Sequence, residues 1–488
     1  MENRTQIEHP HIGTLKKEYL SGKASRREFL RMATLLGMSA TAAYAFVGKG
    51  GSLVAPAQAA MPKGGTARIA MRVQELSTPH SWNWSVKSNI GRQVLEYLAV
   101  TGHDNVTRPH LLSSWEVSED LRTWTLHVRQ GVKWHNGREL TADDVEWNIR
   151  HILDEKTGSS VIGLMKGYML EEYEDESDDS KHTRLWDSNA IEKVDDYTIR
   201  LNTKVPQIAV PEHLFHYPFT IMDPEEGGIL EVGSNGTGPF QLAELTVGEK
   251  AVLTAAPNYW GEGPYLDSLE FIDLGEEASA SLSALVSKQV DGMHTADLSV
   301  LDTLKDREDV VIHEATTAQT AVARMRVTEK PFDDPRVRKA MRLATDTRKV
   351  LEFAYRDRGA PGEHHHVSPV HPEYAELPFM GQDLEKAMSL LAEAGYPDGI
   401  DIKLDCKKDP AWELRAVQVM VEQWKGAGIR CEINVMPSAQ YWDVWTKTPF
   451  GFTQWQHRPL GVMVLGLAYR SGVPWNESAY SNRNSTSS

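Results

Sequence analysis

Residues 111–149 constrain the fold more than any other part of the sequence. Apolar and polar residues alternate over 123–128, which is the period of a half-buried strand, and Ser118-Glu119-Asp120 supplies the turn of a hairpin before it. Thr141 and Asp144 stand at capping-box spacing and predict the start of a helix. A hairpin followed by a capped helix favours a fold in which strands and helices are mixed.

The second half of the sequence predicts a parallel βαβ unit. Residues 400–406 and 429–435 are strand-like, and residues 412–425 between them have a helical period. The two cysteines of the sequence, Cys406 and Cys431, fall on these strands. Two cysteines are too few for a metal cluster or a disulfide scaffold. We favour free buried thiols, with a disulfide between them as the alternative.

Residues 1–59 have the features of an export leader. Residues 25–31 read Ser-Arg-Arg-Glu-Phe-Leu-Arg, residues 32–47 are apolar, and Ala57-Gln58-Ala59 predicts cleavage before Ala60. An amphipathic helix that merely contains two arginines is the alternative. The pair of arginines predicts export by the twin-arginine route. Because no cysteine stands at the cleavage site, we expect a freely diffusing periplasmic protein without a lipid anchor.

The charge of the chain limits its partners. The formal net charge is −16 at pH 7, and loss of the leader makes it more negative. Such a surface repels nucleic acid and anionic lipid, so we exclude both as main partners.

The chain after the leader exceeds the usual size of one core, and this length predicts two lobes. The acidic run 171–179 is interpreted as a solvated loop, because its carboxylates lack the regular spacing of a calcium site.

Several short strings, taken in order, resemble the family of extracellular solute-binding proteins that serve dipeptide, oligopeptide and nickel ABC importers. They extend over nearly the whole chain after the leader, and their order makes the resemblance specific. After the hairpin at Trp115, the strings are Gly131–Gly137, Leu140–Val145, Gly236–Phe240, Asn258–Trp260, Pro331–Ala340, Asp383–Ala387 and Ala394–Pro397.

The resemblance implies an α/β fold, that of a two-lobed periplasmic binding protein of type II-like architecture with an extra hairpin-rich subdomain in the first lobe. Residues 60–314 form its first lobe and residues 315–488 its second, with a hinge between them. It further implies a monomer that captures a peptide or peptide-like solute in the inter-lobe cleft and delivers it to an ABC permease and ATPase complex. No cofactor and no catalysis are implied. Trp134, Phe240 and Trp260 are expected in the core.

The first candidate ligand contacts are Ser81, Trp82, Asn83 and Trp84, whose counterparts in the family border the ligand. Paired tryptophans with interleaved polar residues suit an apolar ligand body that makes a few hydrogen bonds. The alternative is a loop that packs its tryptophans into the lobe.

The second candidate contacts are Trp455, His457 and Arg458. Peptide binders of the family commonly carry an acidic residue here for the amino terminus of the ligand, but no Asp or Glu occurs between Asp443 and Glu477. A guanidinium pairs well with carboxylate or phosphate and poorly with ammonium. Arg458 therefore predicts an anionic group on the ligand, unless another acid recognises the amine.

Other functions remain as alternatives. His457 would suit the binding of a metal chelate, as in the nickel branch of the family. An opine or a sugar is another alternative for the ligand. We predict no metal site, and His364-His365-His366 is interpreted as an exposed loop because adjacent histidines rarely converge on one ion.

A secreted enzyme lacks support, since no hydrolase, metalloprotease, Walker or iron–sulfur motif occurs. A sensory protein on the same fold is the last alternative, which the neighbouring genes would discriminate.

The end of the sequence departs from the family pattern. After Asn482 the sequence reads as it would if one nucleotide had been lost, and it stops at Ser488. We expect a frameshifted or truncated product whose second lobe lacks the strand that returns to the first.

Overall fold

The computed structural model describes residues 9–48, 62–174 and 181–481. The chain divides into two compact units, Met1–Asp273 and Leu274–Ser488. The expected leader cleavage site, part of the acidic run and the departure after Asn482 lie outside the described residues.

The second unit begins at Leu274, before the lobe boundary at 314 that the resemblance implies, and the bounds of the lobes stay a prediction. Side chains within residues 274–314 bond to later segments of this unit. Glu276 Oε1 accepts from the Ser438 amide at 2.9 Å, Asp302 pairs with Arg356 at 2.9 Å and Glu314 pairs with Arg358 at 2.8 Å. These bonds give a physical reason for residues 274–314 to fold with the second unit.

The first unit is built mainly from antiparallel strands with helices between them. Its helices are α1 (Pro10–Leu20), α2 (Arg26–Leu35), α3 (Ala40–Val47), α4 (Ser85–Gly91), α5 (Ala142–Leu153), α6 (Val161–Met169) and α7 (Val210–His213). Its strands are β1 (Thr66–Ala70), β2 (Ala99–Thr101), β3 (Thr107–Pro109), β4 (Leu112–Val117), β5 (Thr123–Val128), β6 (Leu170–Glu174), β7 (Lys181–Leu185), β8 (Ile191–Asp195), β9 (Thr198–Asn202), β10 (Phe240–Thr246), β11 (Lys250–Ala255) and β12 (Ser268–Ile272).

The predicted hairpin and helix are confirmed. Strands β4 and β5 pair antiparallel, with Trp115 opposite Leu126, in a sheet of order β4-β5-β9-β8. Helix α5 starts where the capping box predicts, and the Thr141 amide donates to Asp144 Oδ2 at 2.9 Å. In a second sheet β10, β11 and β12 are neighbours, and β1 runs parallel to β12.

The aromatic residues of the family strings have different surroundings. Trp134 and Phe240 are buried, as expected for core residues. Trp260 is only half-buried, and its indole N–H donates to Glu96 Oε2 at 2.8 Å. Tyr259 donates to the other oxygen of Glu96 at 2.7 Å, so these two neighbours together satisfy a buried carboxylate.

The leader segment is folded in the described structure, although the sequence predicts that it lies outside the domain. Helix α2 buries Phe29 completely. Arg31 Nε donates to Glu212 Oε1 at 2.8 Å, and the indole N–H of Trp115 donates to the Thr34 carbonyl at 3.2 Å. An amphipathic leader helix has an apolar face that needs cover, which the first unit supplies. The export route stays a prediction.

The second unit contains the predicted βαβ unit. Its helices are α8 (Ala278–Val286), α9 (Leu298–Leu304), α10 (Pro335–Leu343), α11 (Thr347–Tyr355), α12 (Leu384–Glu393), α13 (Ala411–Lys425), α14 (Ser438–Val444) and α15 (Gly461–Tyr469). Its strands are β13 (Gly292–Met293), β14 (Thr320–Met325), β15 (Ile400–Lys407), β16 (Ile429–Met436) and β17 (Phe450–Trp455). A sheet of order β14-β17-β15-β16 holds β15 and β16 in parallel, with α13 connecting them.

The two cysteines are free thiols, so the disulfide alternative is wrong for this structure. Cys406 is level with Val435, whereas Cys431 is level with Ile402. Four residues of a strand span about 13 Å, well beyond the reach of a disulfide. Burial raises the pKa of the Cys406 thiol to about 12, which keeps it protonated and unreactive.

A buried ion pair lies at the end of β15. Lys407 Nζ is 2.5 Å from Glu413 Oε2, and both side chains are buried. The ammonium group also lies 4.9 Å and 4.8 Å from the ring centroids of Tyr441 and Trp442. Burial raises the pKa of Glu413 to about 7, and the attraction of Lys407 opposes that rise. Each charge therefore depends on the other, and on the aromatic rings for the cation.

We expect Lys407→Met to lower the free energy of unfolding by roughly 3–5 kcal/mol, because Glu413 then stays in the core without its cation. The double variant Lys407→Met/Glu413→Leu should recover most of that loss, since neither charge remains. Urea unfolding measures both, with Lys403→Met, exposed on the same strand, as control. A double variant as unstable as the single one would contradict this account.

Candidate functional site

The first candidate residues lie in the first unit, where the tryptophans are buried and the polar residues between them are half-buried. The indole N–H of Trp82 donates to the Leu76 carbonyl at 3.2 Å. Its ring fills the space beside Gly91, where an added Cβ would lie 2.0 Å from the ring. These contacts are those of the core alternative. A ligand contact by Ser81, Trp82, Asn83 or Trp84 stays a prediction.

The histidine that precedes these residues is part of a buried polar network. His80 Nε2 lies 2.8 Å from the Thr220 carbonyl, and its Nδ1 lies 2.8 Å from His151 Nδ1. The imidazole of His80 therefore donates to the carbonyl and accepts from His151. Burial lowers the pKa of His80 to about 3, so the ring is neutral at ordinary pH.

The second candidate residues follow strand β17 in the second unit, beside a cluster of indole rings. The ring of Trp455 lies 6.1 Å from that of Trp445 and 5.8 Å from that of Trp475, both edge-on. Trp442 extends the cluster through Trp445 at 5.4 Å. Edge-to-face rings of this kind hold one another in fixed orientations, so Trp455 forms a rigid wall.

Glu477 is the residue of this region that sequence analysis missed. Its Oε1 accepts from the indole N–H of Trp455 at 2.8 Å, and its Oε2 accepts from Thr453 at 3.2 Å. Arg324 Nε lies 3.2 Å from the same Oε2, and both side chains of this pair are buried. An acid therefore does stand beside Trp455. Its charge is compensated by Arg324, a partner that is distant in sequence.

Arg458 and His457 continue from Trp455. One terminal nitrogen of Arg458 donates to the carbonyls of Gln456 at 3.2 Å and His457 at 2.8 Å. His457 Nδ1 accepts from the Ala318 amide at 3.1 Å. His371 Nε2 lies 3.1 Å from the Arg458 carbonyl. Hydrogen bonds between these side chains and backbone atoms thus hold this turn in a fixed conformation.

The triple histidine is not the exposed loop that the sequence predicts. His366 is 3% exposed, and its ring lies 5.4 Å from that of Trp455 and 5.3 Å from that of Tyr469. His364 and His365 are half-buried. Burial, followed by the charges of His365 and His371, lowers the pKa of His366 to about 4. The fold turns one of three adjacent histidines inward because strand β17 and helix α15 present aromatic rings to it.

The second unit therefore places Trp455, His457 and Arg458 in one region with His366 and Glu477. Within residues 9–48, 62–174 and 181–481, no group of three or more His, Cys, Asp or Glu side chains is placed to hold a metal ion. Aromatic walls, a guanidinium and imidazoles suit the binding of a polar organic molecule.

We expect Glu477→Gln to lower the free energy of unfolding by roughly 3 kcal/mol, because Arg324 then stays buried without a negative charge. The amide oxygen still accepts from Trp455, so the loss measures the charge rather than that hydrogen bond. Urea unfolding followed by tryptophan fluorescence makes the measurement, with exposed Glu432→Gln as the matched control. Equal stability of the two variants would show that the ion pair contributes nothing.

Most of the chain matches one family of known proteins. The model of the bacterial extracellular solute-binding proteins, family 5 Middle, matches residues 106–461. The dipeptide-binding protein of Escherichia coli is 24% identical over 68% of this chain and 64% of its own length. The periplasmic oligopeptide-binding protein OppA of Haemophilus influenzae is 25% identical over 75% of this chain and 69% of its own. The chain thus spans about two thirds of these relatives.

Solved structures of periplasmic binding proteins have the same fold as this chain. The periplasmic binding protein DppA of Helicobacter pylori, in complex with the peptide STSA, is 20% identical with a TM-score of 0.74, over 87% of this chain and 85% of that one. The binding protein AgaA of A. tumefaciens, in complex with agropinic acid, is 21% identical with a TM-score of 0.74, over 87% and 84%. No helix in the described part of the chain has the length and apolar composition needed to cross a bilayer.

Proposed function

The chain belongs to the bacterial extracellular solute-binding proteins of family 5, and from this premise we propose that it captures a peptide or peptide-like solute for an ABC importer. The family is one of binding proteins, so we propose binding without catalysis. An ABC permease and ATPase complex is the proposed partner, the periplasm the proposed location, and a monomer the proposed working form. The net charge of −16 supports exclusion of nucleic acid as a partner.

The single observation that carries the proposal is the arrangement around Trp455 in the second unit. The indole is fixed by Glu477, and the turn that bears Arg458 is fixed by two bonds from side chains to backbone carbonyls, Arg458 Nη1 to His457 at 2.8 Å and His371 Nε2 to Arg458 at 3.1 Å. Prearranged groups bind with less loss of conformational entropy than mobile ones. A site of this kind recognises a solute by shape and by a few directed polar contacts.

We propose that Arg458 selects solutes with an anionic group. A guanidinium offers a planar set of donors that matches a carboxylate. The relatives are compatible with that choice, since one is named a dipeptide-binding protein, another a glutathione-binding protein, and AgaA is described in complex with agropinic acid. Peptides and organic acids share a carboxylate at neutral pH, which is the group that Arg458 would bind.

The acid that peptide binders use for the ligand's amino terminus has a different counterpart here. Glu477 reaches Trp455, but Arg324 already compensates its charge at 3.2 Å. A buried carboxylate paired in this way has little attraction left for an ammonium group. We therefore propose that the carboxylate end of the solute contributes more to affinity than its amino end.

We expect Arg458→Ala to weaken binding of the dipeptide Ala-Ala by about 30-fold, which corresponds to roughly 2 kcal/mol, because a charged hydrogen-bonded pair is lost. Isothermal titration calorimetry measures the change, after a thermal-shift screen of Ala-Ala, glutathione and agropinic acid against the purified protein.

Arg430→Ala is the matched control, because this arginine lies on β16 of the same unit in an exposed pair with Asp401. Its affinity for Ala-Ala should equal that of the unchanged protein. If none of the three probes raises the melting temperature, the proposed substrate class is wrong. If the probes bind equally well to Arg458→Ala, only the role of Arg458 is wrong.

A further inference from the structure

The segment from Glu363 to Ser368 contains an unusual concentration of buried polar atoms without a hydrogen-bond partner among the described residues. Buried polar groups in folded proteins are almost always hydrogen-bonded, so such atoms call for a partner of another kind. The atoms are Glu363 Oε2, His364 Nε2, both ring nitrogens of His365, both ring nitrogens of His366 and Ser368 Oγ.

His366 is the innermost of these groups. It is only 3% exposed, and its ring is tilted by 49° against Trp455 and by 53° against Tyr469. The polar atom of Trp455 is not available to it, because that N–H donates to Glu477. The aromatic faces therefore fix the imidazole in position without satisfying either nitrogen.

The acids of this part of the unit already have protein partners. Glu363 accepts from the Tyr374 hydroxyl at 2.9 Å and lies 3.3 Å from His365 Nε2. Glu373 accepts from the Gly461 amide at 3.1 Å, and Glu477 is paired with Arg324. The carboxylates of Glu373 and Glu477 thus have bonded partners in the protein, and Glu363 Oε2, which lacks a hydrogen bond, faces the imidazole of His365 at 3.3 Å.

We propose that His366 binds a carboxylate of the captured solute and takes up one proton from the solvent as it does so. The proton adds to the imidazole nitrogen that lacks one, and the resulting imidazolium donates to the carboxylate oxygen. The inference rests on the proposed function, which it deepens by naming a proton-linked contact for the acidic solute. It makes His366 a residue that sets specificity for acids over their amides.

The electrostatics of the free protein agree with this direction. The pKa of His366 is lowered to about 4, so the ring is neutral before the solute arrives. A carboxylate beside the ring favours its charged form and raises the pKa in the complex. Affinity should therefore increase as pH falls from about 7 towards 5, for as long as the solute carboxylate stays ionised.

Other titratable and charged groups of the same unit also act on the charge of His366. They are His364, His365, His371, Glu363 and Glu373 on its own segment, His457 and Arg458 after β17, Arg324 on β14, Arg342 on α10, Tyr469 on α15, and Glu477.

The test is calorimetry of the full chain with Ala-Ala at pH 6, repeated in two buffers with different ionisation enthalpies. The difference in apparent binding enthalpy gives the number of protons taken up. We expect uptake approaching one proton for the unchanged protein. The same measurement with the C-terminal amide, Ala-Ala-NH2, should show at least a tenfold loss of affinity and no uptake.

His366→Gln keeps a hydrogen-bonding side chain but cannot titrate in this range. We expect it to bind Ala-Ala at least tenfold more weakly, without proton uptake, and to bind Ala-Ala-NH2 as the unchanged protein does. His313→Gln, an exposed histidine of the same unit, is the matched control and should retain both affinity and uptake.

The outcomes separate this inference from the proposed function. Binding of Ala-Ala without proton uptake by the unchanged protein overturns the role of His366 and leaves solute capture intact, as does uptake that persists in His366→Gln. Absence of binding by all three probes of the thermal-shift screen overturns both. Because the two-buffer measurement uses the unchanged protein, absence of proton uptake overturns the inference even if His366→Gln does not fold.

Discussion

A buried ion pair, Arg324 with Glu477, holds the candidate binding region of the second unit together. It joins the edge strand β14 to residues near the end of the described chain, and Glu477 also fixes the indole of Trp455 at 2.8 Å. Neither charge is stable in such surroundings without the other. The indole cluster, the turn bearing Arg458 and the inward position of His366 all build on the wall that Trp455 forms.

Charge compensation explains how this unit tolerates so many buried polar groups. Lys407 has Glu413 and two aromatic rings, and Arg324 has Glu477. His366 differs, since its nitrogens have no such partner in the described residues. In our proposal, the groups that stabilise this unit are therefore separate from the imidazole that recognises a solute.

Family membership and solute choice depend on different residues. The strings that identify the family are largely scaffold, as the buried Trp134 and Phe240 and the Glu96 contacts of Tyr259 and Trp260 show. The relatives carry names for dipeptides, oligopeptides and glutathione, so the scaffold alone does not fix the solute. Residues such as Arg458 and His366 make that choice in our proposal, because side chains at a site can change without altering the sheet beneath them.

The sequence by itself determined the elements whose period is local: the hairpin of β4 and β5, the capped start of α5 and the βαβ unit around α13. It also identified Arg458 as a departure from the family. Only the tertiary structure decided that Trp82 packs beside Gly91, that Cys406 and Cys431 are out of register, and that Glu477 and His366 reach Trp455. Local periodicity records which face of an element is apolar, whereas a contact between residues 366 and 455 depends on how distant segments pack, which no local pattern encodes.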